Sequence, residues 1–83
     1  MRLLFTKTFV QDYRRLPEAT QNTVDKQLLL SNPQDPSLNT KKMNDPRGIW
    51  EARVTAGYRF TFQIEGDIYV LRKVGTHAIL RKP

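Results

Sequence analysis

Hydrophobic and polar positions follow two rhythms along this chain, and the rhythm changes once. Leu3, Leu4 and Phe5 open it as a short apolar run, the pattern of a first strand. Thr6 or Thr8 then offers a hydroxyl to cap a helix. Phe9, Tyr13 and Leu16 follow at i, i+4 and i+7, one apolar stripe, while Asp12, Arg14 and Arg15 point away from it. Pro17 ends this helix and opens the next, with Glu18 well placed near its N-terminus. Val24 and Leu28 share a face of the second helix, Leu29 and Leu30 come after them, and Asn32-Pro33 stops it. Two helices with so short a joint form a hairpin that must lay its stripe on something.

Residues 31–48 read as a loop, rich in Pro, Asn and Asp, with Leu38 and Met43 as its apolar anchors. From Ile49 the period becomes two. Trp50, Ala52 and Val54 alternate with Glu51, Arg53 and Thr55. Ala56-Gly57 marks a hairpin turn. Tyr58, Phe60, Phe62 and Ile64 then alternate with Arg59, Thr61 and Gln63, up to a second turn at Glu65-Gly66-Asp67. Ile68 to Val74 is apolar on both faces apart from Arg72 and Lys73, as expected of a central strand. Gly75 is expected to break it, Ala78-Ile79-Leu80 to add a short last strand, and Arg81-Lys82-Pro83 to form a basic tail. The result is a two-layer α+β domain with a short N-terminal strand, a helical hairpin, then a C-terminal antiparallel meander. The helices cover one face of the sheet, and the polar alternates are left on the other.

Composition narrows the chemistry. A chain of 83 residues is a single small domain with no cysteine, so disulfides, thiolate metal sites and cysteine nucleophiles are excluded. With one histidine and scattered carboxylates, no metal site is expected. No apolar run approaches a membrane span and the apolar N-terminus is too short for a signal peptide, so a cytoplasmic protein with no membrane partner is expected. Fourteen basic against eight acidic residues give a net charge of +6, which implies an anionic partner. The charge is uneven: residues 47–83 hold seven basic and three acidic residues, residues 1–46 seven and five.

If Trp50, Phe60 and Phe62 pack under the helices, Arg53 and Arg59 emerge together on the opposite face. Paired guanidiniums suit a phosphate because their planar donors match its oxygens and stay charged. His77, the one imidazole, falls just past the third meander strand. It can serve as acid or base in RNA cleavage, where the 2′-hydroxyl is the nucleophile and the protein aligns it and stabilises the phosphorane. Bland readings fit the same residues. Arg53 suits an ordinary exposed strand position, Arg59 an ion pair with Glu51 or Asp67, and His77 a surface or capping position. Lys41 and Lys42 suit either phosphate contact or plain solvation. Tyr13, Tyr58 and Tyr69 fit core or half-core positions better than base stacking.

Trp50-Glu51-Ala52-Arg53-Val54, Gly57-Tyr58-Arg59-Phe60-Thr61-Phe62 and Val70-Leu71-Arg72-Lys73-Val74-Gly75-Thr76-His77 together resemble the RelE/ParE toxin superfamily. Lys41-Lys42-Met43-Asn44-Asp45 resembles the loop leading into its first meander strand, so the likeness spans nearly all of residues 1–83 as one RelE-like toxin domain. The resemblance implies the RelE-like microbial RNase fold and the toxin of a type II toxin–antitoxin pair. Its expected activity is a ribosome-dependent endoribonuclease that cuts messenger RNA and inhibits translation, with no metal and no cofactor. A ParE-like inhibitor of DNA gyrase and an inactive antitoxin-binding member are the alternatives. Residue by residue, Arg59 matches the arginine at the scissile phosphate, Arg53 a basic position on the adjoining strand, and His77 the arginine or histidine after the Val-Gly turn. Lys41, Lys42, Lys73, Arg81 and Lys82 are the expected RNA contacts. The expected partners are a cognate antitoxin, the ribosome and messenger RNA in its A site. Two departures stand out: Glu51 takes a place that is basic in some RelE proteins, and Leu80 and Arg81 occupy the region of a C-terminal aromatic.

Overall fold

In the computed structural model, which describes residues 2–30 and 40–83, the period-two segment becomes the frame on which everything else is laid. Strands β3 (Ile49–Arg53), β4 (Tyr58–Glu65) and β5 (Ile68–Thr76) form the antiparallel meander. The N-terminal strand β1 (Arg2–Phe5) lies parallel to β5, pairing Leu3 with Tyr69 and Phe5 with Leu71. A fifth strand, β2 (Thr40–Lys42), pairs antiparallel with β3, so the sheet order is β1-β5-β4-β3-β2. Strand β5 is interior, as its apolar composition requires, but β4 is the middle strand.

Thr6, not Thr8, caps helix α1 (Lys7–Arg14): its Oγ1 accepts from the Phe9 N–H and donates to the Leu71 carbonyl at 2.8 Å. One hydroxyl thus starts the helix and ties it to β5. Helix α2 (Glu18–Leu30) follows Pro17, and Thr20, Val24 and Leu28 face inward from it. Phe9 and Val24, with Leu16 just past the end of α1, meet Ala52, Val54, Phe60, Phe62, Leu71 and Val74 in one core. Each buried Val, Leu or Phe side chain contributes about 1.5–3 kcal/mol, so both helices are held to a single face. Tyr13, Tyr58 and Tyr69 pack against this core half-buried, as their placement in the sequence predicts.

Three expectations are corrected. Residues 40–42 are a strand, not loop: Thr40-Lys41-Lys42 has no hydrophobic alternation, and pairing with β3 recruits it. Gly75 does not break β5, which runs on to Thr76, because Gly75 still pairs with Arg59. Ala78-Ile79-Leu80 forms no strand but part of a 3₁₀-turn, His77–Arg81, that starts on the Thr76 hydroxyl and folds back over the sheet. Ile79 settles on Gly75, where an added Cβ would sit 3.0 Å from Ile79 Cγ2. Positive φ occurs at Gly48 (70°) and Gly66 (62°), the second closing the β4–β5 turn. The side chains of Leu29 and Leu30, the Asn32-Pro33 stop and the Leu38 anchor lie outside the described residues.

The second face is not simply polar. Between Thr61 and Phe62 the β4–β5 register slips by one, so Arg72 is an extra residue and stands on the same face as Lys73. The Arg72 guanidinium donates to Gln63 Oε1 at 2.6 Å and to the Pro83 carbonyl at 3.0 Å. Thr61, fully buried, also donates to the Pro83 carbonyl, and Gln63 Nε2 donates to the Arg47 carbonyl. This clamp folds the C-terminal residues across the sheet and buries Pro83. Ile49, in register with Gln63, is also fully buried. The expected basic tail is therefore a packed element.

Candidate active site

Strand register places the predicted catalytic arginines directly opposite one another. Arg53 on β3 pairs with Arg59 on β4, and Arg59 pairs with Gly75 on β5. Neighbours in such a row stand about 4.5–5.5 Å apart at Cα. His77 lies two residues beyond Gly75, exposed, at the start of the 3₁₀-turn. The two arginines thus share one face, as the alternation predicts, and His77 comes just beyond the end of β5. Gly75 leaves the floor open beside Arg59, and Ile79 partly fills it.

The two arginines are held differently. Arg59 is half-buried and folds back on its own hairpin: Nη1 donates to the Thr55 carbonyl at 2.6 Å and to the Tyr58 carbonyl at 2.9 Å. These are charge-assisted bonds to turn carbonyls, so the β3–β4 turn and the guanidinium fix one another. Its Nε and Nη2 have no acceptor among the described residues. Arg59 pairs with neither Glu51 nor Asp67; among the described residues the sole ion pair is Arg47–Asp45 at 2.9 Å. The Arg53 side chain is exposed with no partner among the described residues, while its carbonyl accepts from Gln27 Nε2 of α2 at 2.5 Å. A fixed guanidinium therefore faces a free one across the ladder.

The five predicted RNA contacts divide into two groups. Lys73 is on the same face as the arginines, in register with Thr61, and Arg81 and Lys82 overhang it from the C-terminal segment. Lys41 pairs with Glu51 at the β2 edge, three strand intervals or about 14 Å from Lys73. Lys42 pairs with Trp50, on the helix side of the ladder. Glu51 is half-buried between Lys41 and Thr61, in the row next to Arg53. Residues missed in the sequence are those that hold the site: Thr61, Gln63 and Arg72 clamp the segment carrying His77, and Gly75 seats it. Adjacent Arg72 and Lys73 in an otherwise apolar strand were the available signal of a bulge.

No group of three or more His, Asp or Glu side chains among the described residues is placed to hold a metal ion. No described helix is long and apolar enough to cross a membrane.

A strand, a helical hairpin and a meander closed by a parallel first strand define an α+β fold, and it is the fold of the RelE-like toxins. Compared with a chain of the RelB-RelE antitoxin-toxin complex from Methanococcus jannaschii, the TM-score is 0.76 at 23% identity, covering 94% of each chain. The toxin–antitoxin complex RelBE2 from Mycobacterium tuberculosis matches with a TM-score of 0.73 at 22% identity, over 92% of this chain and 96% of the other. The YoeB/ParE toxin from Agrobacterium tumefaciens gives 0.73 at 19% identity, over 93% and 99%. No family model and no curated protein matches the sequence.

Proposed function

We propose that this protein is the toxin of a type II toxin–antitoxin pair and acts as a ribosome-dependent endoribonuclease on messenger RNA. The observation that carries the reading is the row Arg53–Arg59–Gly75 with His77 at its end. Like charges directly opposite on a ladder are destabilising, so paired arginines with no carboxylate between them suit an anionic ligand. In this reading the RNA 2′-oxygen attacks the adjacent phosphorus, the bond to the 5′-oxygen breaks, and the products are a 2′,3′-cyclic phosphate and a free 5′-hydroxyl. Arg59 stabilises the phosphorane through its free Nε and Nη2, held in place through Nη1. Arg53 anchors the phosphate, and His77 carries the proton at the attacking or the leaving oxygen. The substrate brings its own nucleophile, so the scheme calls for no metal or cofactor.

Lys73, Arg81 and Lys82 extend the basic surface past His77, and Lys41 marks its other margin. The partners in this reading are messenger RNA in the ribosomal A site and a cognate antitoxin. An acidic or amphipathic antitoxin segment would neutralise a net charge of +6 and cover the site. His77→Ala should lower the cleavage rate on ribosome-bound message more than tenfold, with an unchanged unfolding midpoint. A folded His77→Ala protein that cuts at the wild-type rate would remove the assignment.

A further inference from the structure

Next to the candidate active site, between the 3₁₀-turn and the start of α1, lies a cavity of about 450 Å3. Lys73 of β5 lines it, with Ile79, Arg81 and Lys82 on the C-terminal side and Thr8 and Asp12 on the α1 side. A smaller recess bordered by Thr6, Thr8 and Arg72 adjoins it at Lys73. None of Lys73, Arg81 and Lys82 has an ion-pair partner among the described residues. Asp12 is the one carboxylate of the cavity, and its Oδ2 accepts from the Val74 N–H at 3.4 Å. Three cations against one carboxylate around a concavity of this size fit a small anionic ligand, for which pockets of roughly 300–1,000 Å3 are usual.

We propose that this cavity is a second phosphate subsite, which holds a backbone phosphate of single-stranded RNA beside the one cut at His77. It deepens the ribonuclease reading and rests on it. The same 3₁₀-turn carries His77 at one end and Arg81 at the other, separated by a rise of about 8 Å at ~2 Å per residue. That is the scale of neighbouring phosphates along an extended strand. A nucleotide suits the mixed lining: the phosphate meets the three cations, and the sugar and base lie along Ile79 and the lysine stems. An acidic protein segment would use the cations and leave the apolar wall uncovered.

The test uses a fluorescent hexadeoxynucleotide, which lacks the 2′-hydroxyl and is not cut, titrated at several salt concentrations. Lys73→Ala/Arg81→Ala should bind it at least tenfold more weakly, with the salt slope reduced by about 0.7, the share of one single-strand phosphate contact. Lys82→Ala, an exposed change outside the sheet, should weaken binding in the same direction. Asp12→Asn should tighten it, because a like charge is removed from the wall. Arg15→Ala/Lys26→Ala on the helical hairpin removes the same two charges, is the charge-matched control, and should bind as wild type. A double variant that binds within twofold of that control would overturn the subsite. So would a hexaglutamate peptide that binds wild type but not the double variant, with oligonucleotide binding unaffected by the change. Wild type that binds with the expected slope but cuts no RNA removes the ribonuclease reading alone. Wild type that cuts RNA while the double variant binds unchanged removes the subsite alone.

Discussion

Arg59→Ala should have two consequences that separate in the tube. The first is structural. Nη1 bridges the Thr55 and Tyr58 carbonyls at 2.6 and 2.9 Å, and both bonds are lost. Hydrogen bonds to a charged group contribute about 1.5–3 kcal/mol each when buried, but this turn is partly open to water, so the expected loss is about 1–2 kcal/mol in total. An 83-residue domain has a stability of roughly 4–12 kcal/mol, so most molecules stay folded. The second consequence is chemical. Removing a preorganised donor from a developing anion costs about 10²–10³ in rate. Arg59→Lys restores the charge without the fork and should recover only part of either loss. Urea unfolding reads the first effect through Trp50, the single tryptophan, which stacks on Phe62 at a centroid distance of 6.3 Å. Single-turnover cleavage on ribosomes, at a temperature where the variant is folded, reads the second. A folded Arg59→Ala protein that cleaves at the wild-type rate would refute the catalytic role. An unchanged midpoint would refute the turn-holding role.

Two further outcomes follow from the site's supports. Gly75→Ala places a methyl 3.0 Å from Ile79 Cγ2, so Ile79 must give by a few tenths of an ångström; cleavage should fall by only a small factor with little change in melting temperature, and adding Ile79→Ala should restore it, whereas no recovery would contradict the steric account. Asp45 is held at about 2, below its ordinary 3.8, by hydrogen bonds from Arg47; a carboxyl depressed on folding stabilises above its unfolded pKa and loses that contribution as pH falls through the folded one, so Arg47→Ala should shrink the drop in melting temperature between pH 3.8 and about 2. An equal drop in both proteins would count against this.

Alternation made the meander legible. Trp50, Ala52 and Val54 against Glu51, Arg53 and Thr55 fix which face β3 buries, and that places Arg53 beside Arg59 before any coordinates are known. The helical stripe of Phe9 and Tyr13 was equally readable, because a spacing of four puts both rings on one side of a helix and the polar residues between them on the other. Strand β2 escaped because Thr40-Lys41-Lys42 has no pattern of its own and owes its conformation to an open edge on β3. The 3₁₀-turn escaped because Ala78-Ile79-Leu80 is a short apolar run without a period. Its geometry is set by a long-range fact, the seating of Ile79 on Gly75 and the clamping of Pro83 by Thr61 and Arg72. The parallel pairing of β1 with β5 joins residues about as far apart as the chain permits, which no local pattern encodes.

The site shows the same division. Register set Arg53 opposite Arg59 on one face, as the alternation predicted, and His77 follows just past the end of β5. Sequence could not show that Arg59 commits one nitrogen to its own turn, or that Lys41 and Lys73 lie at opposite margins of the face. Nor could it show that Thr8 and Asp12, on a helix distant in sequence, complete a basic cavity next to His77.

The most direct test of the central claim is primer extension on messenger RNA from cells in which this chain is briefly induced, with His77→Ala beside it. The account predicts new in-frame breaks within translated messages that vanish in the variant. Growth arrest with intact messages, or breaks that persist at full strength in His77→Ala, would contradict it.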